Sequence, residues 1–101
     1  MAQRILQINF NFSSSRAEYE AASQPNAAPI AAAPGLSWKI WLMNEAQAEA
    51  GGIYLFDGEA AAQGFAQEAE AMLRDDPSLS NVSVKQFGVI ESLTASTRGP
   101  I

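Results

Sequence analysis

The sequence contains neither cysteine nor histidine. Without thiolates or imidazoles, the chain cannot form disulfides, Cys/His zinc sites, iron–sulfur clusters or haem ligation through either residue. A cysteine nucleophile and a Ser–His–Asp triad within one chain are excluded for the same reason. No acidic cluster has the loop spacing of an all-oxygen metal site. Any chemistry must therefore use other side chains.

Basic residues are few, six against eleven acidic ones, and the formal charge is −5. Proteins that bind nucleic acids or anionic membranes need clustered Lys and Arg, whereas these six are scattered singly. We therefore predict no nucleic-acid partner and no membrane partner. No apolar run approaches the roughly 20 residues of a transmembrane helix, and the N-terminus lacks a signal-peptide segment. The expected location is cytoplasmic.

Hydrophobic residues make up 48% of the 101 residues, and charged residues only 17%. This composition favours a packed core over disorder. The length fits one domain, residues 1–101. Because so short a domain buries a modest fraction of its surface, pairing with a second copy would add apolar burial.

Four segments have the character of β-strands. In the first, Gln3 to Phe12, the apolar residues at 6, 8, 10 and 12 alternate with polar residues at 7, 9 and 11, which predicts one fully buried face. The second carries apolar residues on both faces, and the third follows a Gly-Gly pair. We predict the later strands at residues 36–44, 53–56 and 82–90.

Two helices are predicted between these strands. The first begins at Arg16 after three serines that offer N-cap oxygens, and it runs to about Gln24. Pro25 and Pro29 then predict a kink or a second short helical piece. The second helix begins at residue 57 or 58, has an apolar stripe and ends around residue 74.

The order β-α-β-β-α-β predicts an α+β, ferredoxin-like fold. Right-handed crossovers place both helices on one face of a four-stranded antiparallel sheet, so the other face is bare unless a partner covers it. Residues 91–101 form a C-terminal tail without clear periodicity, which is either disordered or a dimer arm.

Three segments carry a family resemblance: GLSWKIW at residues 35–41, EAGGIYLF at residues 49–56 and VKQFGV at residues 84–89. Together they resemble the YdhR family of mono-oxygenases. The resemblance implies a homodimer, built as a dimeric α+β barrel with two sheets face to face. It also implies kinship with small oxygenases that oxidise polycyclic phenols to quinones without metal, flavin or other cofactor. The prolines depart from the family pattern where the first helix would wall a pocket.

Several residues are candidates for a substrate pocket: Asn9, Trp38, Lys39, Trp41, Tyr54 and Phe56. Lys39 and Trp41 share a strand face, so that the ammonium group could lie near the indole. They either line a cavity for an aromatic substrate or fill the dimer interface. Trp38 is expected to point toward the helices, as core or pocket wall.

Tyr54 is the candidate catalytic residue, because its phenol can exchange a proton. Its usual pKa of about 10 would have to fall for it to act as a base at neutral pH. Asn9 lies on the polar face of the first strand, where its amide needs a partner: a symmetry mate, water or a substrate oxygen. Tyr54 and Phe56 share a face of the third strand.

The predicted function is a cofactor-independent mono-oxygenase acting on a small aromatic or polycyclic phenolic substrate. The alternative is a non-catalytic dimeric module, either binding a small molecule or purely structural. A structural module predicts no cavity large enough for a ring system.

Overall fold

A computed structural model describes residues 2–101 and contains a four-stranded antiparallel sheet with helices on one side. The elements in chain order are β1 (Arg4–Phe12), α1 (Arg16–Ser23), α2 (Ala27–Ala31), β2 (Leu36–Asn44), β3 (Glu49–Phe56), α3 (Glu59–Asp75), β4 (Leu79–Gly88) and α4 (Glu91–Ser96). The strand order β2-β3-β1-β4 is that of a split β-α-β fold. The predicted ferredoxin-like α+β fold is confirmed.

The central strand β1 organises the core. Its apolar side chains face the helices and are almost fully buried, with Leu6 and Ile8 at most 1% exposed. The opposite side chains of this strand, such as Gln7 and Asn9, lie on the outer face. The core is completed from β3 and α3 by Ala50, Tyr54, Phe56, Ala62 and Ala66. The predicted alternation is therefore correct from Leu6 to Phe12.

The segment formed by α1 and α2 is broken as the prolines predict. Ser15 and Glu18 form a capping box at the start of α1, with reciprocal hydrogen bonds of 3.1 and 2.9 Å. Pro25 lies in a 3₁₀ turn at Gln24–Asn26. Pro29 lies in the first turn of α2. A backbone N–H has no intrahelical acceptor at this position, so proline removes no helical hydrogen bond there. Neither helix has a fully buried side chain.

Strand β2 is oriented opposite to the prediction. Lys39 pairs with Tyr54 and Trp41 with Gly52, so Lys39 and Trp41 face the helices. Trp38 pairs with Leu55 on the outer face, so the prediction that it points toward the helices is wrong. A register shift between Leu36 and Trp38 puts these two residues on opposite faces of the sheet, whereas strict alternation predicts that they share one face.

Strand β3 begins at Glu49, four residues earlier than predicted, because its glycines are part of the strand. A Cβ at Gly51 would collide with the carbonyl oxygen of Ile8, so the close approach of β1 requires glycine. A Cβ at Gly52 would lie 2.5 Å from Cε of Lys39. This second glycine leaves the space in which the lysine side chain lies. The β4 strand likewise begins three residues before its predicted start.

The tail contains α4, a helix that its composition did not indicate. The chain end returns to the sheet, where Trp38 Nε1 donates a 2.7 Å hydrogen bond to the carbonyl oxygen of Pro100. A role of this tail as a dimer arm stays a prediction. Among the helices of residues 2–101, none combines the length and apolar character needed to cross a membrane.

Candidate functional site

A cavity of about 390 Å³ lies between the sheet and the helices. Its floor comes from β2 and β3, its roof from α1 and α2, and one side from α3. The volume falls within the range of about 300–1,000 Å³ typical of small-molecule sites. This size argues against the purely structural module, which predicts no space for a ring system.

Lys39 projects into this cavity from β2. Its Nζ lies 3.2 Å from the ring centroid of Trp41 and 4.7 Å from that of Tyr54. Both distances are within the range of cation–π interactions. The ion pairs among residues 2–101 involve Arg16 and Arg74, and none of them includes Lys39. The cavity therefore contains an ammonium group held by aromatic faces and without a carboxylate partner.

Burial lowers the pKa of Lys39 to about 8, because desolvation disfavours the charged form. Both protonation states are therefore accessible near neutral pH. The other titratable groups lining the cavity are Tyr19, Tyr54, Glu68 and Asp76. An amine in this position can accept a proton, and the resulting ammonium can hold an anion.

Tyr54 is buried beside Lys39 and packs against two phenylalanines. Its ring centroid lies 5.0 Å from that of Phe65 and 6.3 Å from that of Phe56. Burial, with a smaller contribution from Tyr19, raises the pKa of Tyr54. This shift is opposite to the one that a general base would need, so the phenol stays protonated at neutral pH.

The structure brings three of the six predicted pocket residues together: Lys39, Trp41 and Tyr54. Phe56 is fully buried beneath them and does not line the cavity. Asn9 and Trp38 lie on the outer face, where the Asn9 Oδ1 accepts a 2.9 Å hydrogen bond from Gln7. Binding of a substrate by any of the six stays a prediction.

Several cavity residues were missed in the sequence. Tyr19 on α1 stacks on Phe12 with centroids 5.3 Å apart, and burial raises its pKa. Ile30 on α2 also lines the cavity, as does Phe65 on α3, which the sequence assigned to an apolar helix stripe. The position of Tyr19, four residues after the N-cap Ser15, was the available signal: it places the ring one turn into the helix.

Trp41 separates this cavity from two smaller ones. Cavities of about 310 and 170 Å³ open on its other sides, and all three share its side chain. The indole is 42% exposed, so the site communicates with solvent at this end. Rotation of Trp41 would change the length of the space available to a ligand.

Comparison with known proteins identifies the family of this chain. A family model described as "Putative mono-oxygenase ydhR" matches residues 5–100. No curated protein matches the chain. Since the family match spans nearly the whole sequence, from the first strand to the end of the tail, the chain belongs to the ydhR family.

Proposed function

We propose that the protein is a cofactor-independent mono-oxygenase that oxidises a small phenolic or polycyclic aromatic molecule. The cavity between the sheet and the helices is the proposed substrate site. The observation that carries the proposal is the Lys39 amine, which lies without a carboxylate partner among aromatic rings in a cavity of about 390 Å³. An aromatic anion is the ligand that fits both the rings and the charge.

The proposed reaction begins with proton transfer from the substrate phenol to the neutral Lys39 amine. The ammonium so formed pairs with the phenolate in a site of low dielectric, where the attraction is stronger than in water. The electron-rich phenolate gives one electron to dioxygen. The two radicals then combine at a ring carbon to form a peroxide anion, which takes back the proton from Lys39. Loss of water, which includes the hydrogen of that ring carbon, leaves a second carbonyl. One oxygen atom enters the quinone, the other leaves as water, and the substrate supplies every electron.

The aromatic side chains have a positioning role in this proposal. Trp41, Tyr54 and Phe65 present faces and edges that hold a planar ring system against the Lys39 amine. The protonated Tyr54 phenol can donate a hydrogen bond to a substrate oxygen or to the developing peroxide. Tyr54 is thus a proposed donor rather than a proposed base.

The dimer belongs to the same proposal. The outer face of the sheet exposes Ile40 and Phe87, which are 51% and 46% exposed. Isolated exposed apolar residues are common, but these two lie on one sheet face with Ile53 between their strands. Pairing of this face with its copy in a second chain would bury them and form the α+β barrel. Each subunit would keep its own cavity on the helix side.

Oxygen uptake tests the enzymatic proposal. The purified protein is mixed with anthrone or 2-naphthol, and dioxygen consumption and quinone formation are recorded together. Lys39→Met should lower the rate by about 100-fold, the order of magnitude of a lost general base. Lys85→Met, at the other lysine of the chain, is the matched control: Lys85 lies on the outer face, away from the cavity, and its substitution should leave the rate unchanged in dilute, monomeric protein. Equal rates in Lys39→Met and wild type would refute the proposed role of the amine.

A non-catalytic binding module is the second candidate. The partial exposure of Trp41 favours it, because an open cavity admits the water that an oxygenase site excludes. In that case, 2-naphthol raises the melting temperature of wild type, and no dioxygen is consumed with any phenol. Consumption of dioxygen in an amount equal to the quinone formed would exclude the non-catalytic binding module.

A further inference from the structure

We infer that Lys39 is a carbonyl-reactive amine and that the cavity takes aromatic aldehydes, which bind reversibly as a Schiff base on Nζ. This activity goes beyond oxygenation of phenols and does not depend on it. It rests on three observations: the position of the amine above Gly52, the aromatic rings around it, and the ion pairs within residues 2–101, which do not include Lys39.

The first step is the position of the amine. Lys39 and Tyr54 are cross-strand partners, so both side chains rise from the same face of the sheet. The Lys39 side chain crosses above Gly52, where any other residue would place a Cβ 2.5 Å from Cε. The amine is therefore held against the cavity floor.

The second step is the character of the surroundings. The nitrogen lies 3.2 Å from the Trp41 ring centroid, and its desolvation increases the fraction of neutral amine near neutral pH. A neutral lysine amine in an apolar pocket is a nucleophile toward carbonyl carbon. An ion pair would suppress this reactivity, and the ion pairs formed within residues 2–101 do not include Lys39.

The third step is the chemistry of addition. The nitrogen lone pair attacks the aldehyde carbon, and the carbonyl oxygen takes a proton to form a carbinolamine. Water then leaves, and the nitrogen loses its remaining proton as the C=N bond forms, so amine and aldehyde give imine and water. Tyr54, whose phenol stays protonated because burial raises its pKa, lines the same cavity and can donate a hydrogen bond to the leaving hydroxyl. The aromatic walls favour an aryl aldehyde over a short aliphatic one.

Reductive trapping tests this inference. The wild-type protein is incubated with 2-naphthaldehyde and sodium cyanoborohydride, and the adducts are located by peptide mass spectrometry. We expect one naphthylmethyl group per chain on Lys39, with about ten-fold or more labelling over Lys85. Lys85 lies on β4 on the outer face of the sheet, and it is exposed in a single chain. It serves as a control inside the same molecule when the labelling is done in dilute, monomeric protein. Equal labelling of the two lysines, or no adduct on Lys39, would overturn the inference.

Two variants and a second probe sharpen the result. Lys39→Arg keeps the charge but lacks a primary amine, so it should lose the specific adduct while its melting temperature stays near that of wild type. Tyr54→Phe should slow trapping about ten-fold if the phenol assists loss of water. Acetaldehyde should still label Lys39 before Lys85, because the neutral amine reacts with any aldehyde, but with a smaller preference than 2-naphthaldehyde, since it cannot use the aromatic walls. If either variant fails to fold, the labelling of Lys39 relative to Lys85 in wild type still tests the inference. That measurement uses neither phenol nor dioxygen, so its outcome is independent of the proposed oxygenase activity.

Discussion

The two faces of the sheet carry similar kinds of side chain but differ in what covers them. The helix-covered face buries Leu6, Ile8 and Phe56 almost completely, yet it also contains the cavity with Lys39. The outer face exposes Ile40 and Phe87 and buries Leu55 beside Trp38, where the chain end returns to the sheet. Most of the buried core and the proposed chemistry therefore belong to one face, and the proposed association belongs to the other.

The cavity follows from a second difference, between the two parts of the helical layer. The unbroken α3 has 17 residues and packs Ala62 and Ala66 closely on the sheet. The segment of α1 and α2 is divided near Pro25 and buries no side chain fully. Small alanines allow close packing at one end, whereas short broken helices leave space above β2 at the other. The proline-containing segment thereby provides the roof of the site.

The largest expected effect is on stability. Phe56→Ala should lower the free energy of unfolding by about 3–5 kcal/mol, because the ring is fully buried in the helix-covered core. Phe87→Ala, on the outer face, should lower it by less than about 1 kcal/mol when measured in dilute, monomeric protein. Urea denaturation of both variants measures the contrast. Equal losses would show that the two faces contribute alike.

The next effect concerns association. In the double variant Ile40→Lys and Phe87→Lys, the proposed dimer would place like charges across a desolvated interface, and it should dissociate about 100-fold more readily. Light scattering across a dilution series measures this change. Ala71→Lys, on the exposed side of α3, is the control and should remain like wild type. A wild-type protein that is monomeric throughout would refute pairing through this face.

Lys39 and the two tyrosines of the helix-covered face should change the free energy of unfolding in different pH ranges. Because the pKa of Lys39 falls from 10.5 to about 8 on folding, the unfolded chain binds more protons between these values. The contribution of Lys39 to the free energy of unfolding therefore rises as pH increases from about 8 to about 10.5. Tyr19 and Tyr54 have raised pKa values and lose stabilisation only above about pH 10.

The measurement compares wild type with Lys39→Met in urea at about pH 7 and about pH 9.5. Glu68 and Asp76, the carboxylates that line the same cavity, remain in both proteins, so the difference between the proteins reports Lys39. We expect wild type to gain stability relative to the variant as the pH rises. A parallel pH dependence of the two would contradict the lowered pKa.

The smallest effect concerns the glycine beneath the lysine. Gly52→Ala should displace the Lys39 side chain from Trp41 and lower the free energy of unfolding by about 0.5–1 kcal/mol through the lost cation–π contact. Gly64→Ala is the matched control, since a Cβ meets nothing there and the residue lies inside α3. It should stabilise by about 0.5–1 kcal/mol. Identical shifts in both variants would show that Gly52 has no special role.

The sequence predicted the fold well where polarity alternates clearly. From Leu6 to Phe12 every second residue of β1 is polar, so only one assignment of faces is possible. In β2 both faces are apolar, with Trp38 on one and Trp41 on the other, so alternation predicts a strand but not its orientation. The register shift near Leu36 adds a second ambiguity, because a bulge leaves no mark in a strand that carries apolar residues on both faces.

The site was predictable only in part. The sequence predicted that Lys39 and Trp41 are close, because residues two apart share a strand face. The structure places the Lys39 Nζ 3.2 Å from the ring centroid of Trp41. It did not predict the cavity, which depends on how far α1 and α2 stand above the sheet. It also missed α4, since Ile90 offers no side-chain cap to mark the start of that short helix.

A crystal structure of the protein with bound 2-naphthol tests the central claim most directly. The account predicts that the ring system lies on the helix side of the sheet, between Trp41 and Tyr54, with its oxygen within hydrogen-bond distance of the Lys39 Nζ. A naphthol bound on the outer face, beside Ile40 and Trp38, would contradict it.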